Sequence, residues 1–157
     1  MTRTILCVCS GNYCRSPIAE GLLRREIERN GLAGHIAVRS AGTVNVYEGE
    51  PPAPLVAQVV SERRGHLDGH RPHQITPEEV ERADLIVAMA QEHSDYIARY
   101  YPEAAARTML LSHAVGLSAD VPDPGVQELG PLRECADLIE NYITRGYGEI
   151  VRRVAGQ

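Results

Sequence analysis

A short apolar run that passes straight into a helix start through polar residues constrains this chain more than any other stretch of it. Thr4-Ile5-Leu6-Cys7-Val8 is β-branched and apolar without alternation, the pattern of a strand buried on both faces in a parallel sheet. Ser16 and Pro17 suit the N-cap and first position of a helix. Ile18, Ala19, Leu22, Leu23 and Ile27 then recur at helical spacing until Asn30-Gly31 signals a stop. Between the two elements lies Cys9-Ser10-Gly11-Asn12-Tyr13-Cys14-Arg15. A strand that turns directly into a helix leaves the loop's N–H groups unpaired, at the positive end of the helix dipole. Such a nest attracts an anion.

Two side chains make the nest reactive. Cys9 stands where the strand ends, and Arg15 can reach back over the loop in the spacing Cys-x-x-x-x-x-Arg-Ser. Helix N-termini and neighbouring cations favour a thiolate over a thiol. The loop amides, the Ser16 hydroxyl and Arg15 are therefore expected to hold Cys9 ready for attack. The planar fork of Arg15 matches two oxygens of a phosphoryl group, which lysine cannot replicate. The expected step is in-line attack of Cys9 on phosphorus, giving a phosphocysteine that water hydrolyses.

Cys9 to Pro17, together with Ser40-Ala41-Gly42-Thr43 and Val121-Pro122-Asp123-Pro124, resembles the low-molecular-weight protein tyrosine phosphatase family, and the likeness extends over nearly the whole chain. The resemblance implies one α/β phosphatase domain over residues 1–157, a four-stranded parallel twisted sheet with helices on both faces. It implies Cys9 as nucleophile, Arg15 as phosphate clamp and Asp123 as the acid that protonates the leaving oxygen, then the base that activates water. Ser10, Gly11, Asn12, Tyr13, Cys14 and Arg15 would cradle the phosphate, with Ser16, Ser40 and His70 holding the cradle in shape. Composition alone reads Asp-Pro as a turn, with Asp120 close by, and His70 as a surface histidine.

Length and composition bound the rest. A chain of 157 residues buries roughly two thirds of its unfolded surface without needing disulfides. Cysteines at 7, 9, 14 and 135 lack the paired spacing of a structural zinc site and are too few for a secreted scaffold, and no metal or other cofactor is expected because Arg15 and the loop N–H groups supply the positive charge that magnesium provides elsewhere. A reducing, cytoplasmic compartment follows, and no apolar stretch approaches a membrane span. The net charge of −5 argues against nucleic acid as a partner. The expected partner is a phosphorylated protein or small aryl phosphate, met by a monomer or weak dimer. All 16 basic residues are arginine, and neither Phe nor Trp is present, so aliphatic residues and seven Tyr must fill the core.

Further along, Ile36–Ser40, Leu85–Met89 and Thr108–Leu111 read as strands two to four. Helices are expected from Leu55 to Gly65, after the capping box Thr76-Pro77-Glu78-Glu79, from His93 to Tyr100, and over a final stripe of Leu132, Cys135, Ala136, Ile139, Tyr142 and Ile143. Cys135, on that stripe, is expected to be buried and inert. Residues 44–54 are rich in turn formers and are expected to wall the site, and Ser112–Gly130 reads as an irregular, functional loop. Cys14, close to Cys9 on a curved loop, could pair with it in a reversible disulfide, a redox role that the resemblance favours.

Substrate choice is where the pattern departs from the family. Relatives acting on phosphotyrosine usually carry a bulky residue at the place of Val46 and Tyr after Asp-Pro, where this chain has Gly125. Tyr47 or Tyr13 could supply the missing ring. Ala88-Met89-Ala90 and the spacing beyond Asp123 look closer to the protein arginine phosphatase branch, which usually has Thr at the place of Tyr13. Tyr13 should hinder a guanidinium-linked phosphate, which ranks phosphotyrosine first and phosphoarginine second. An arsenate reductase on this scaffold would need cysteines within 80–95, where there are none. A non-catalytic phosphate-binding module would lose the nucleophile, the arginine or the acid.

Overall fold

Strand β1 (Arg3–Cys9) lies in the middle of a sheet of order β2-β1-β3-β4, all parallel, in a computed structural model that describes residues 1–156. Its neighbours are β2 (Ile36–Gly42) and β3 (Leu85–Ala88), and β4 (Thr108–Leu110) closes the far edge. Successive side chains of β1 face opposite ways, and both faces are covered. Ile5, Cys7 and Cys9 join a core with α1 (Arg15–Arg29), α2 (Pro54–Glu62) and α5 (Leu129–Val154). Leu6 and Val8 join another with α3 (Pro77–Arg82) and α4 (Gln91–Tyr100). The absence of alternation in the sequence is thereby explained, and the expected α/β architecture is the one found.

The winding direction reverses at β1, since β2 lies on one side of it and β3 on the other. In open parallel sheets the crevice beyond such a point is where ligands bind. The register places Cys9 beside Gly42 and Val8 beside Ala88, so the loop after β1 emerges between the ends of both neighbours.

Several boundaries differ from expectation. Helix α1 begins at Arg15, one residue before the expected cap, and no side chain caps it. Ser16 is fully buried inside the first turn, where its hydroxyl serves Cys9 and Asn12 instead of the helix end. The stop at Asn30-Gly31 is as expected, with Gly31 at φ 73°. The capping box of α3 is present in both directions. Helix α2 ends at Glu62, short of Gly65, and α4 starts two residues before His93. Strand β4 stops at Leu110 because Leu111–Val115 turns into a 3-10 helix, which narrows the irregular segment to 116–128. Among the described residues, no helix is long and apolar enough to cross a membrane.

Candidate active site

The loop after β1 is pinned at its base by Thr43 N donating to the Cys9 carbonyl and Val44 N to that of Ser10, both at 3.0 Å. Gly42 backs directly against it: a Cβ there would lie 2.5 Å from the Ser10 oxygen and 3.0 Å from the Asn12 nitrogen. Among the described residues, the N–H groups of Gly11, Asn12, Tyr13 and Cys14 donate to no protein acceptor. Unpaired donors beside a helix start are what an anion nest requires.

Asn12 shapes the loop. It is wholly buried at φ 55°, a left-handed conformation that Asn tolerates better than most residues. Its Nδ2 donates to Ser16 Oγ at 3.0 Å and Ser40 Oγ at 2.9 Å, and its Oδ1 accepts from His73 N at 3.2 Å. Its carbonyl accepts from His70 Nε2 at 3.1 Å. Because an amide nitrogen only donates, Ser16 accepts from it and keeps its own proton for Cys9 Sγ, 2.9 Å away. Ser40 in turn donates to Glu20, which also receives Arg24. Burial pushes the Glu20 carboxyl up, but hydrogen bonds from His70 and Ser40 and the Arg24 charge outweigh it and hold it below the usual carboxylate range. The loop thus rests on a buried anion, linked to Cys9 through Ser40, Asn12 and Ser16.

Arg15 is 6% exposed and donates from one terminal nitrogen to the Val121 carbonyl at 3.0 Å. Val121 N reaches Met89 O at 2.8 Å, which docks the loop carrying Asp123 onto the end of β3. Asp123 lines the same cleft as Cys9 and Arg15, and its Oδ1 accepts from Gly125 N at 3.0 Å. Asp120 instead accepts from Gln91 N at 2.9 Å, at the start of α4, and is absent from the cleft wall. Ser10 Oγ meets His93 Nε2 at 2.9 Å, while His93 Nδ1 accepts from Ala90 N at 3.1 Å. The ring proton therefore sits on Nε2 and points at Ser10.

The cleft has a volume of about 90 Å³. Its wall includes Tyr13 and Tyr47, stacked with centroids 4.0 Å apart and planes 11° from parallel, and on the other side Gly125 and Val126. Val46, expected in the wall, is 70% exposed and does not line the cleft; the turn over 44–54 directs its neighbour Tyr47 inward instead. Sequence reasoning missed Glu20, His93 and Val126. Glu20 carried one signal, an acidic residue one turn after Ser16 inside the apolar stretch Ile18–Leu23. His93 and Val126 carried none, being placed by tertiary contact alone. Cys135 is buried as expected.

The sequence profile of the family "Low molecular weight phosphotyrosine protein phosphatase" matches residues 4–154. A low molecular weight protein-tyrosine-phosphatase of Streptomyces coelicolor is 32% identical, covering 100% of this chain and 99% of its own. A protein-arginine-phosphatase of Geobacillus stearothermophilus is 36% identical over 92% of this chain and 94% of its own. The crystal structure of a low molecular weight protein tyrosine phosphatase from T. tengcongensis superposes with a TM-score of 0.86 at 30% identity, covering 94% of this chain and 99% of that one. With Cys9, Arg15 and Asp123 on one cleft and the match running from β1 into the end of α5, the chain belongs to the low molecular weight phosphotyrosine protein phosphatase family.

Proposed function

We propose that this protein is a cysteine-dependent phosphatase that hydrolyses phosphotyrosine, on proteins or small aryl phosphates, through a phosphocysteine at Cys9. The observation that supports this reading most is the convergence of Cys9, Arg15 and Asp123 on one cleft, with Ser16 aimed at the sulfur. The loop amides and the guanidinium hydrogens not given to Val121 receive the phosphoryl oxygens. Cys9 attacks in line, and Asp123 gives its proton to the departing phenolic oxygen. Asp123 then takes a proton from the water that cleaves the S–P bond, and phosphate leaves. The positive charge already in the loop stabilises the transferring group. Four free thiols suit a reducing cytoplasmic compartment.

The Tyr13–Tyr47 stack favours a flat aryl ring, and offset stacking of this kind contributes about 0.5–1.5 kcal/mol beyond burial. A second reading, phosphoarginine, draws on the Geobacillus relative and on Gly125 and Val126, which leave that wall without a ring. Tyr13, which lines the cleft, supports the first reading, because a bulky ring there hinders a branched guanidinium. Turnover of phosphotyrosine and phosphoarginine peptides in wild type and Tyr13→Thr tests the ranking. Wild type should favour phosphotyrosine and Tyr13→Thr should shift the ratio toward phosphoarginine; higher phosphoarginine turnover in wild type reverses it.

A further inference from the structure

A buried imidazole ties the loop after β1 to the first turn of α4. His93 is 1% exposed and feels the charges of Arg15, Asp120 and Asp123, so it lies close behind the cleft wall without being part of it. Both of its nitrogens are engaged. Nδ1 accepts from Ala90 N at 3.1 Å, and Nε2 stands 2.9 Å from Ser10 Oγ. A backbone amide only donates, so Nδ1 carries no proton and the neutral ring holds its one proton on Nε2. Burial, with the Arg15 charge adding to it and Asp120 and Asp123 opposing, lowers the ring to about 4 and keeps it neutral near pH 7.

The consequence falls on Ser10. A hydroxyl has one hydrogen to give and lone pairs with which to receive. Ser10 Oγ receives from His93, so its own hydrogen must go elsewhere, and among the described residues no second partner takes it. Glu92, whose carboxylate is 3.5 Å from His93 Nε2, is 70% exposed and is not bonded to Ser10. Ser10 lines the cleft directly after Cys9. The acceptors on the cleft wall are already served, Cys9 Sγ by Ser16 and Asp123 Oδ1 by Gly125 N. What the Ser10 hydrogen is left to meet is an oxygen that enters the cleft. Ser16 is fixed by the same device, since Asn12 donates to its oxygen from one side and its proton goes to Cys9 on the other.

We propose that His93 is a positioning residue for the phosphatase reaction, which by donating to Ser10 Oγ commits the serine's hydrogen to an oxygen of the phosphoryl group. The proposal rests on the cleft being the phosphate site. Ser10 then adds one side-chain donor to the loop amides and the Arg15 guanidinium, at oxygens that carry charge both in bound phosphate and in the transition state. Without the imidazole, the hydroxyl turns about its Cβ–Oγ bond and its hydrogen is shared with solvent.

Calorimetric titration with inorganic phosphate, on variants whose melting temperatures show them folded, tests this apart from turnover. Ser10→Ala should weaken phosphate binding about tenfold, the loss expected for one hydrogen bond to a charged group. His93→Leu should weaken it by a similar factor. Combining the two should weaken it no further than either alone, because residues that act as one unit are not additive. His93→Gln, whose amide keeps a donor for Ser10, should restore most of the affinity. A histidine that merely supports the fold would cost the same factor with or without the Ser10 hydroxyl. Losses that multiply in the double variant, Ser10→Ala binding phosphate as tightly as wild type, or His93→Gln binding as weakly as Ser10→Ala each overturn the proposal. The last two comparisons decide it even where His93→Leu fails to fold. Wild type that binds phosphate but leaves an aryl phosphate intact contradicts the proposed function instead, and the order of phosphate affinities is read independently of it.

Discussion

Asn12 holds a left-handed turn and satisfies two hydroxyls, an N–H and an imidazole at once. In Asn12→Ala, Ser16 loses the donor that fixes its proton on Cys9, and Ser40 and His73 lose a buried partner. Stability should fall by about 2–4 kcal/mol in denaturant unfolding. A shift of the loop near an ångström should cost about 10²-fold in kcat. Asp123 and Asp120 separate by contact: one faces the cleft, the other caps α4. Asp123→Asn keeps an oxygen for Gly125 N, so the melting temperature should hold while kcat on phenyl-type leaving groups drops roughly 10²–10⁴-fold. Asp120→Asn should leave kcat near wild type. Equal kcat losses in both variants would remove the assignment of the acid.

At the scale of the element, β1, its loop and α1 were readable because each signal was local: an unbroken apolar run, then small polar residues, then helical spacing. The capping box of α3 was readable for the same reason. What local signals could not supply was the partner across the fold. Ser16 looks like a cap in sequence, and only the approach of Asn12 and Cys9 shows that its hydroxyl serves the loop. Val46 and Tyr47 are equivalent by sequence, and the turn they occupy decides which faces the cleft. Gly42 illustrates the coupling of β2 to the loop. Its missing Cβ lets the Ser10 carbonyl pack against the strand end, so Gly42→Ala must displace the loop backbone. Phosphate inhibition should weaken by tenfold or more, the equivalent of about 1.4 kcal/mol of binding. An unchanged inhibition constant would show the loop to be more compliant than this packing implies.

For the molecule as a whole, buried and paired histidines set the pH range of stability. His93 is lowered to about 4 by burial, with the Arg15 charge adding to it and Asp120 and Asp123 opposing. A histidine lowered from about 6.5 contributes fully above that pH and loses its contribution as pH falls toward 4, about 3 kcal/mol in all. Glu20, held low, adds to the loss on the acid side. His73 is raised to about 9, chiefly by its bond to Glu79 with burial opposing, so its contribution is present below about 6.5 and fades as pH rises through 9. Urea midpoints should therefore peak near pH 6.5–7, and His73→Gln should flatten the alkaline limb alone. A midpoint still rising at pH 9 would contradict the His73–Glu79 assignment. The proposed function requires a phosphoryl group placed between Cys9 and Asp123. Rapid quenching of the protein with an aryl phosphate, followed by peptide mass spectrometry, tests that directly. Wild type should carry one phosphoryl group on Cys9 during turnover, accumulating further in Asp123→Asn with a reactive leaving group and absent from Cys9→Ala. Phosphate found on no residue, or hydrolysis that survives in Cys9→Ala, would contradict the account.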